Sequence, residues 1–138
     1  MNKKNTEEWI QWRPLSNLRN KYYIELLSDD TNGLKIILCT DNLEDQKILI
    51  NFENSVDAYT RTDDSFVGER IKYLYDNYGK DFYTKCSFFQ ILNSDYIKRI
   101  SKESGGISDT RSLKHYVFLG VNAVLDVICD LDPFIKFI

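Results

Sequence analysis

Four short apolar runs, separated by only a few polar residues each, occupy the chain from residue 22 to residue 62. The runs cover residues 22–27, 34–39, 46–52 and 55–62. A parallel return between two strands needs a crossover of about a dozen residues or more, so connections as short as these make consecutive strands antiparallel. This part of the chain therefore predicts an antiparallel sheet built from local hairpins.

Beyond residue 62, helical and strand-like patterns alternate. Apolar side chains recur on one helical face from residue 67 to residue 78, residues 63–65 supply a cap, and Gly79 supplies a stop. A shorter helix is predicted from about residue 95 to residue 103, with Asn93 or Ser94 as its cap. Further strands are predicted at residues 85–92, 115–119 and 124–129.

This order of elements indicates an α+β fold. We expect a single antiparallel or mixed sheet of six to seven strands, with two helices packed on one face. The 138 residues predict one globular domain, 1–138, with residues 1–8 flexible. Trp9 and Trp12 belong to a segment expected to cross the sheet as a strap, and residues 134–138 are expected to fold back onto the core.

The composition, 43% hydrophobic and 28% charged, is that of a soluble globular protein. No apolar run approaches the roughly 20 residues that span a bilayer, and no apolar stretch follows the basic N-terminus as in a signal peptide. We therefore expect a cytoplasmic protein with no membrane partner. Cys39, Cys86 and Cys129 are far apart and lie in apolar runs, which is typical of reduced, buried thiols.

Negative charge is concentrated in one part of the chain. Residues 28–64 carry nine acidic and three basic side chains, a net charge of −6, whereas the whole chain carries −3. Binding to phosphates needs clustered lysine and arginine, so we expect no nucleic acid partner. A basic protein partner fits this charge distribution better.

Five of these acidic residues occupy turns that a simple meander would bring together. In a meander, the first and third connections lie at the opposite end of the sheet from the second and fourth. If strand order follows sequence, the predicted cluster consists of Asp41, Glu44, Asp45, Asp63 and Asp64. Three interpretations stay open: solvated turn residues, a docking surface for a basic partner, or a cation or paired-carboxylate site.

His115 is the only histidine, which excludes metal sites built from several histidines. It could act as a general base or orient Cys86 or Ser104, but no nucleophile signature surrounds it, so a structural role is favoured. The glycines after Ser104 follow a predicted helix instead of preceding one, and indicate a helix stop instead of a phosphate loop. The cysteines lack C-x-x-C spacing. We therefore expect no catalytic residues, no metal and no cofactor.

The chain also resembles a known class of proteins over most of its length. The resemblance is carried by Trp12-x-Pro14-Leu15, Tyr23, Gly33, Lys35-Ile36-Ile37-Leu38, Ile50-x-Phe52, Ala58-Tyr59-x-Arg61, Asn93-Ser94-x-Tyr96, Glu103-Ser104, His115-Tyr116 and Asp126-Val127. In these features it is similar to small bacterial immunity proteins of polymorphic toxin systems. The resemblance implies a non-enzymatic protein that neutralises a toxin domain by direct binding.

A non-enzymatic protein-binding module is therefore the function that we expect, with the acidic cluster as its contact surface. Two alternatives remain open. One is a small-molecule-binding domain with an aromatic pocket near Tyr59, Tyr96 and Tyr116. The other is a small hydrolase that uses carboxylates with His115. An uncovered edge strand would also allow a homodimer.

Overall fold

The computed structural model describes residues 6–41, 45–106 and 112–138. Nine strands and three α-helices run through these residues. The strands are β1 (Glu8–Gln11), β2 (Tyr23–Asp30), β3 (Gly33–Cys39), β4 (Lys47–Glu53), β5 (Val56–Asp63), β6 (Phe88–Leu92), β7 (Lys114–Leu119), β8 (Ala123–Cys129) and β9 (Phe134–Phe137). The helices are α1 (Gly68–Tyr78), α2 (Lys80–Thr84) and α3 (Asp95–Glu103).

The strands form two sheets in which neighbouring strands are antiparallel. The five-stranded sheet has the order β1-β6-β7-β8-β5, and the four-stranded sheet has the order β2-β3-β4-β9. The predicted α+β class is confirmed, whereas the predicted single sheet of six to seven strands is wrong.

The error lies at β5. The three strands before it form the predicted run of hairpins, but β5 leaves β4 and pairs with β8 in the other sheet. A short connection fixes the direction of the next strand without fixing its hydrogen-bonding partner. Here the chain turns at Glu53, whose φ is +54°, and Ser55 N–H bonds back to the carbonyl of Phe52 at 3.2 Å. β5 forms the edge of the five-stranded sheet through its pairing with β8, and none of its residues is fully buried.

Aromatic rings fill the space between the two sheets. Phe88 and Phe118 of the five-stranded sheet meet edge to face with centroids 5.8 Å apart, and Phe52 of the four-stranded sheet lies 6.1 Å from Phe118. Trp12 packs against Tyr116 at 4.6 Å. Such pairs add about 0.5–1.5 kcal/mol each beyond the area that they bury.

The helices cover the opposite face of the five-stranded sheet. Leu74 of α1 is fully buried there with Trp9, Phe89 and Val117. Since this sheet is covered on both sides, every residue of β8 is buried. A strand buried on both faces is apolar throughout instead of alternating, which explains the continuous apolar run in this part of the sequence.

The two predicted helices form with nearly the expected bounds. Gly79, with φ of +84°, ends α1, and the Ser94 hydroxyl caps α3 by accepting a bond from Ile97 N–H at 3.1 Å. The cap predicted at residues 63–65 is wrong, because Val67 is the N-cap of α1 and Asp63 still belongs to β5. The strand predicted at residues 85–92 forms as β6 from Phe88, and the short helix α2 precedes it.

Both chain ends form edge strands. Trp9, in the segment predicted to be a strap, lies in β1 and is buried. Glu8 pairs with Leu92, although residues 1–8 are predicted to be flexible, and residues 1–5 lie outside the described residues. The tail predicted to fold onto the core forms β9; Ile135 packs against the core as expected, whereas Phe134 is 74% exposed.

Two expectations drawn from the composition concern the cysteines and membrane-spanning segments. All three cysteines are free and buried, as the sequence predicts. Within the described ranges, no helix has the length and apolar character needed to cross a bilayer.

Gly33 provides a sharp test of this packing. Its φ is +98°, and a Cβ there would overlap the backbone carbonyl of Glu53. We expect Gly33→Ala to lower the free energy of unfolding by at least about 2 kcal/mol, since both strain and overlap oppose it. Gly68→Ala is the matched control, because nothing lies within 4 Å of its Cβ position and alanine favours a helix. Equal urea midpoints for the two variants would contradict this account.

Candidate functional site

Three predicted partner-binding carboxylates, Asp41, Asp63 and Asp64, lie exposed at one end of the two packed sheets. Asp64 N–H bonds to the carbonyl of Asn122 at 3.4 Å, and the Asn122 side chain bonds the backbone N–H and carbonyl of Ile24 at 2.9 and 3.0 Å. Because Ile24 pairs with Leu38, near the C-terminal end of β3, the ends of β3 and β5 lie at the same end of the molecule. We call it the Asp63 end.

Of the other two predicted carboxylates, Asp45 and Glu44, the structure describes Asp45. Arg19 holds Asp45 through two hydrogen bonds, from Nε at 3.0 Å and from Nη2 at 2.9 Å, so the charge of Asp45 is neutralised. Glu44 lies outside the described residues. The Asp63 end therefore presents Asp41, Asp63 and Asp64, which form no ion pair within the part of the chain that the structure describes.

A larger group of carboxylates gathers at the opposite end. It is supplied by three chain connections, between β2 and β3, between β4 and β5, and between β8 and β9. We define the acidic groove by its six carboxylate residues: Asp29, Asp30, Glu53, Asp57, Asp130 and Asp132.

Backbone contacts bring these three connections together. The N–H of Asp130 donates to the carbonyl of Ser55 at 3.2 Å, which joins the β8–β9 connection to the β4–β5 turn. Gly33 lies directly against the carbonyl of Glu53, which joins the β2–β3 turn to β4. The Tyr59 hydroxyl donates to Asp29 at 3.3 Å across the two sheets. The carboxylates are therefore held at one end by the fold itself.

Two adjoining cavities open along the acidic groove. Their volumes are about 320 and 360 Å³, and both are lined by Glu53 and Asn54. Exposed apolar side chains flank the second cavity: Leu131 is 66% exposed and Phe134 is 74% exposed. A concave acidic surface beside exposed apolar groups has the composition of a protein-binding surface for a basic partner.

The charges of the acidic groove are only partly offset. Lys114 pairs with Asp132 at 2.6 Å, and its ammonium together with the Tyr116 hydroxyl lowers the pKa of that carboxyl. Asp29, Asp30 and Glu53 form no ion pair among the described residues. Nor do the described side chains include a group of three or more His, Cys, Asp or Glu residues placed to hold a metal ion.

His115 lies on the helix side of the five-stranded sheet, inside a chain of polar contacts. Its Nδ1 is 2.7 Å from the Ser94 hydroxyl, and its Nε2 is 2.6 Å from a carboxylate oxygen of Asp126. Arg70 of α1 holds both oxygens of the same carboxylate at 2.6 and 2.7 Å. The guanidinium also lies over the ring of Trp9, 4.8 Å from its centroid.

The order serine, histidine, aspartate is that of an acyl-transfer triad, but its location does not allow this chemistry. Ser94 is 4% exposed and His115 is 2% exposed, so a substrate cannot reach either group. The Ser94 hydroxyl is also committed to capping α3. The contacts join α1, α3 and the sheet, which supports the structural role favoured for His115.

Asp126 is the charged centre of this network. Burial alone would raise its pKa, but the hydrogen bonds from Arg70 and His115 outweigh that effect and lower the pKa to about 2. Within the described residues, no buried side-chain nitrogen or oxygen lacks a hydrogen-bond partner. The network is therefore a fully satisfied polar core, the arrangement in which a buried charge is tolerated.

Neither candidate nucleophile contacts the histidine. The thiol of Cys86 donates to the carbonyl of Phe88 at 3.2 Å, and the hydroxyl of Ser104 donates to the carbonyl of Ser101 at 2.8 Å. The glycines after Ser104 end α3, as predicted.

The three tyrosines of the predicted aromatic pocket do not share one cavity. Tyr116 is buried between the sheets, whereas Tyr96 packs on His115 on the helix side of the same sheet. Tyr59 lines a cavity of the acidic groove.

Sequence reasoning missed Asp126 as a site of interest, although a signal was present. It is the single charge inside the apolar run of residues 124–129, and an isolated charge in a buried strand requires a partner. Arg70 gives no such signal, because a charged residue on a helix is ordinary. The grouping of Asp29 with Asp130 depends on which strands pair, and short-range patterns do not report pairing.

The geometry thus defines an α+β protein of two antiparallel sheets with an acidic groove at one end. Comparisons of the chain with known protein families, with curated proteins and with solved structures find no match.

Removing the charge of Asp126 tests the buried network. Asp126→Asn leaves the Arg70 cation partly buried without its anion, so we expect a loss of about 3 kcal/mol in the free energy of unfolding at pH 7. Asp63→Asn, on the exposed end of β5, should change it by less than about 0.5 kcal/mol.

The pH dependence gives a second readout of the same variant. Because folding lowers the pKa of Asp126 from 3.8 to about 2, its stabilisation is present above pH 3.8 and is lost as the pH falls toward 2. The difference between the parent chain and Asp126→Asn in urea unfolding should therefore shrink over this interval. A difference that stays constant from pH 7 to pH 2 would show that the charge of Asp126 has no stabilising role.

Proposed function

We propose that this protein is a non-enzymatic binding module that docks a basic protein partner on the acidic groove. The observation that supports this most directly is the meeting of three separate chain connections, all acidic, around two adjoining cavities. No step of the proposed function uses a cofactor, a metal or nucleic acid.

Two properties of the groove suit it to this task. Asp29, Asp30 and Glu53, which form no ion pair among the described residues, create a local negative field that attracts a basic surface and accelerates encounter. The exposed side chains of Leu131 and Phe134 supply apolar area, and buried apolar anchors contribute most of the affinity in protein interfaces. The carboxylates would orient the partner and raise the association rate, while Leu131 and Phe134 would contribute most of the affinity.

The partner class that we propose is the basic domain of a toxin. This follows from the resemblance to immunity proteins, combined with the negative charge of the groove. Many surfaces that act on phosphate-bearing substrates are basic, and an acidic protein can block such a surface by covering it. Neutralisation by occlusion requires binding only, which agrees with the burial of Ser94 and His115.

The Asp63 end, where the sequence predicts the contact surface, is the alternative to the groove. It offers three exposed carboxylates, Asp41, Asp63 and Asp64, but the pairing of Asp45 with Arg19 reduces its charge. The groove has more carboxylates, a concave shape and adjacent apolar groups. These features favour the groove, and an experiment on matched variants separates the two surfaces.

For that experiment, a photo-crosslinking residue at Asn54 first captures the partner in cells of the native host. Affinities of the captured partner are then measured by calorimetry for two triple variants. We expect Asp29→Asn, Asp30→Asn, Glu53→Gln to weaken binding about tenfold or more and to flatten its salt dependence. The control variant Asp41→Asn, Asp63→Asn, Asp64→Asn should change the affinity by less than about twofold.

The reverse pattern would assign the contact to the Asp63 end and refute the groove. Unchanged affinity and salt dependence in both variants would refute an electrostatic docking surface altogether.

A further inference from the structure

A second cavity system lies away from the acidic groove and is different in character. It has a volume of about 300 Å³ and opens at the Asp63 end, on the helix side of the five-stranded sheet. Its walls come from α1, from α2 and from the turn between β7 and β8. Four apolar side chains line it: Val67, Ile71, Leu119 and Val124.

The polar feature of this cavity is the ammonium group of Lys21. Its Nζ donates to the carbonyl of Leu119 at 3.0 Å and to the carbonyl of Tyr83 at 3.2 Å. An ammonium group has three N–H donors, so these carbonyls use two of them. Within the described residues Lys21 forms no ion pair, which is unusual for a cation held in a partly buried position.

We propose that this cavity is a binding site for a small carboxylate with a short apolar chain, held by an ion pair to Lys21. The carboxylate would accept the third N–H of the ammonium and supply the ion-pair partner that Lys21 lacks among the described residues. The apolar chain would lie against Val67, Ile71 and Val124. A volume of about 300 Å³ lies at the small end of ligand cavities, which limits the ligand to a small molecule.

The electrostatics agree with this assignment. Burial lowers the pKa of Lys21 to about 8, while the nearby Cys86 thiol acts in the opposite direction. The ammonium is therefore still mostly protonated at pH 7, and a bound anion would remove the unfavourable burial of a lone charge. Asp64 also lines the cavity, is exposed, and forms no ion pair with Lys21. Its charge opposes an incoming anion.

The test uses hexanoate and 1-hexanol as probes, because they share an apolar chain and differ in charge. Two-dimensional NMR of the full chain at pH 7 should show hexanoate shifting the amides of Leu119, Gly120 and Val124. Hexanol should bind at least about tenfold more weakly, because it lacks the negative charge that pairs with the Lys21 ammonium. Hexanoate should also raise the pKa of Lys21, read from its side-chain NMR signals.

Three variants extend the test. Lys21→Met keeps the apolar stem and should abolish the preference for hexanoate over hexanol. Asp64→Asn should tighten hexanoate binding, because it removes a repulsive charge. Thr84→Trp should weaken both probes by filling the cavity without changing its charge. The comparison of the two probes on the parent chain needs no variant, so it holds even if Lys21→Met fails to fold.

Equal binding of the two probes to the parent chain would overturn the proposal, as would the absence of shifts with millimolar hexanoate or an unchanged pKa of Lys21. None of these outcomes bears on the acidic groove, which lies at the other end of the molecule.

Discussion

Asp126 lies in the middle of a strand whose seven residues are all buried, and the rest of the structure is arranged around that fact. A sheet that is covered on both faces cannot leave a carboxylate unpaired, so α1 brings Arg70 and β7 brings His115 to meet it. Through Ser94, the same contacts fix the start of α3. The ion pair thus places the helical layer on the sheet, while aromatic packing places the four-stranded sheet on the other side.

The burial of β8 limits which side chains a ligand can reach. The single histidine lies in the core, and every residue of the central strand β8 is buried, so a ligand can reach neither. The exposed groups that form the two candidate sites lie at the ends of the sheets. At one end the connections supply carboxylates and form the acidic groove, and at the other end Lys21 stands beside an apolar cavity. Both ends carry exposed carboxylates, and they differ in the shape and lining of their cavities.

The sequence predicted those features that depend on neighbours along the chain. The hairpins of β2, β3 and β4, the glycine that ends α1 and the Ser94 cap of α3 all follow from local patterns. The division into two sheets did not follow, because a short turn at Glu53 leaves open whether β5 pairs with β4 or packs across from it. The acidic groove was missed for the same reason. Without strand order, Asp29 and Asp130 could not be recognised as neighbours.

The proposed function depends most on the acidic groove being the surface that a partner covers. Hydrogen–deuterium exchange of the protein, measured alone and in its partner complex, tests this directly. We expect new protection in the turns at residues 29–33 and 53–57 and in the connection at residues 130–134, with little change elsewhere. Protection confined to residues around Asp41, Asp63 and Asp64, or to the helical layer, would contradict the proposal.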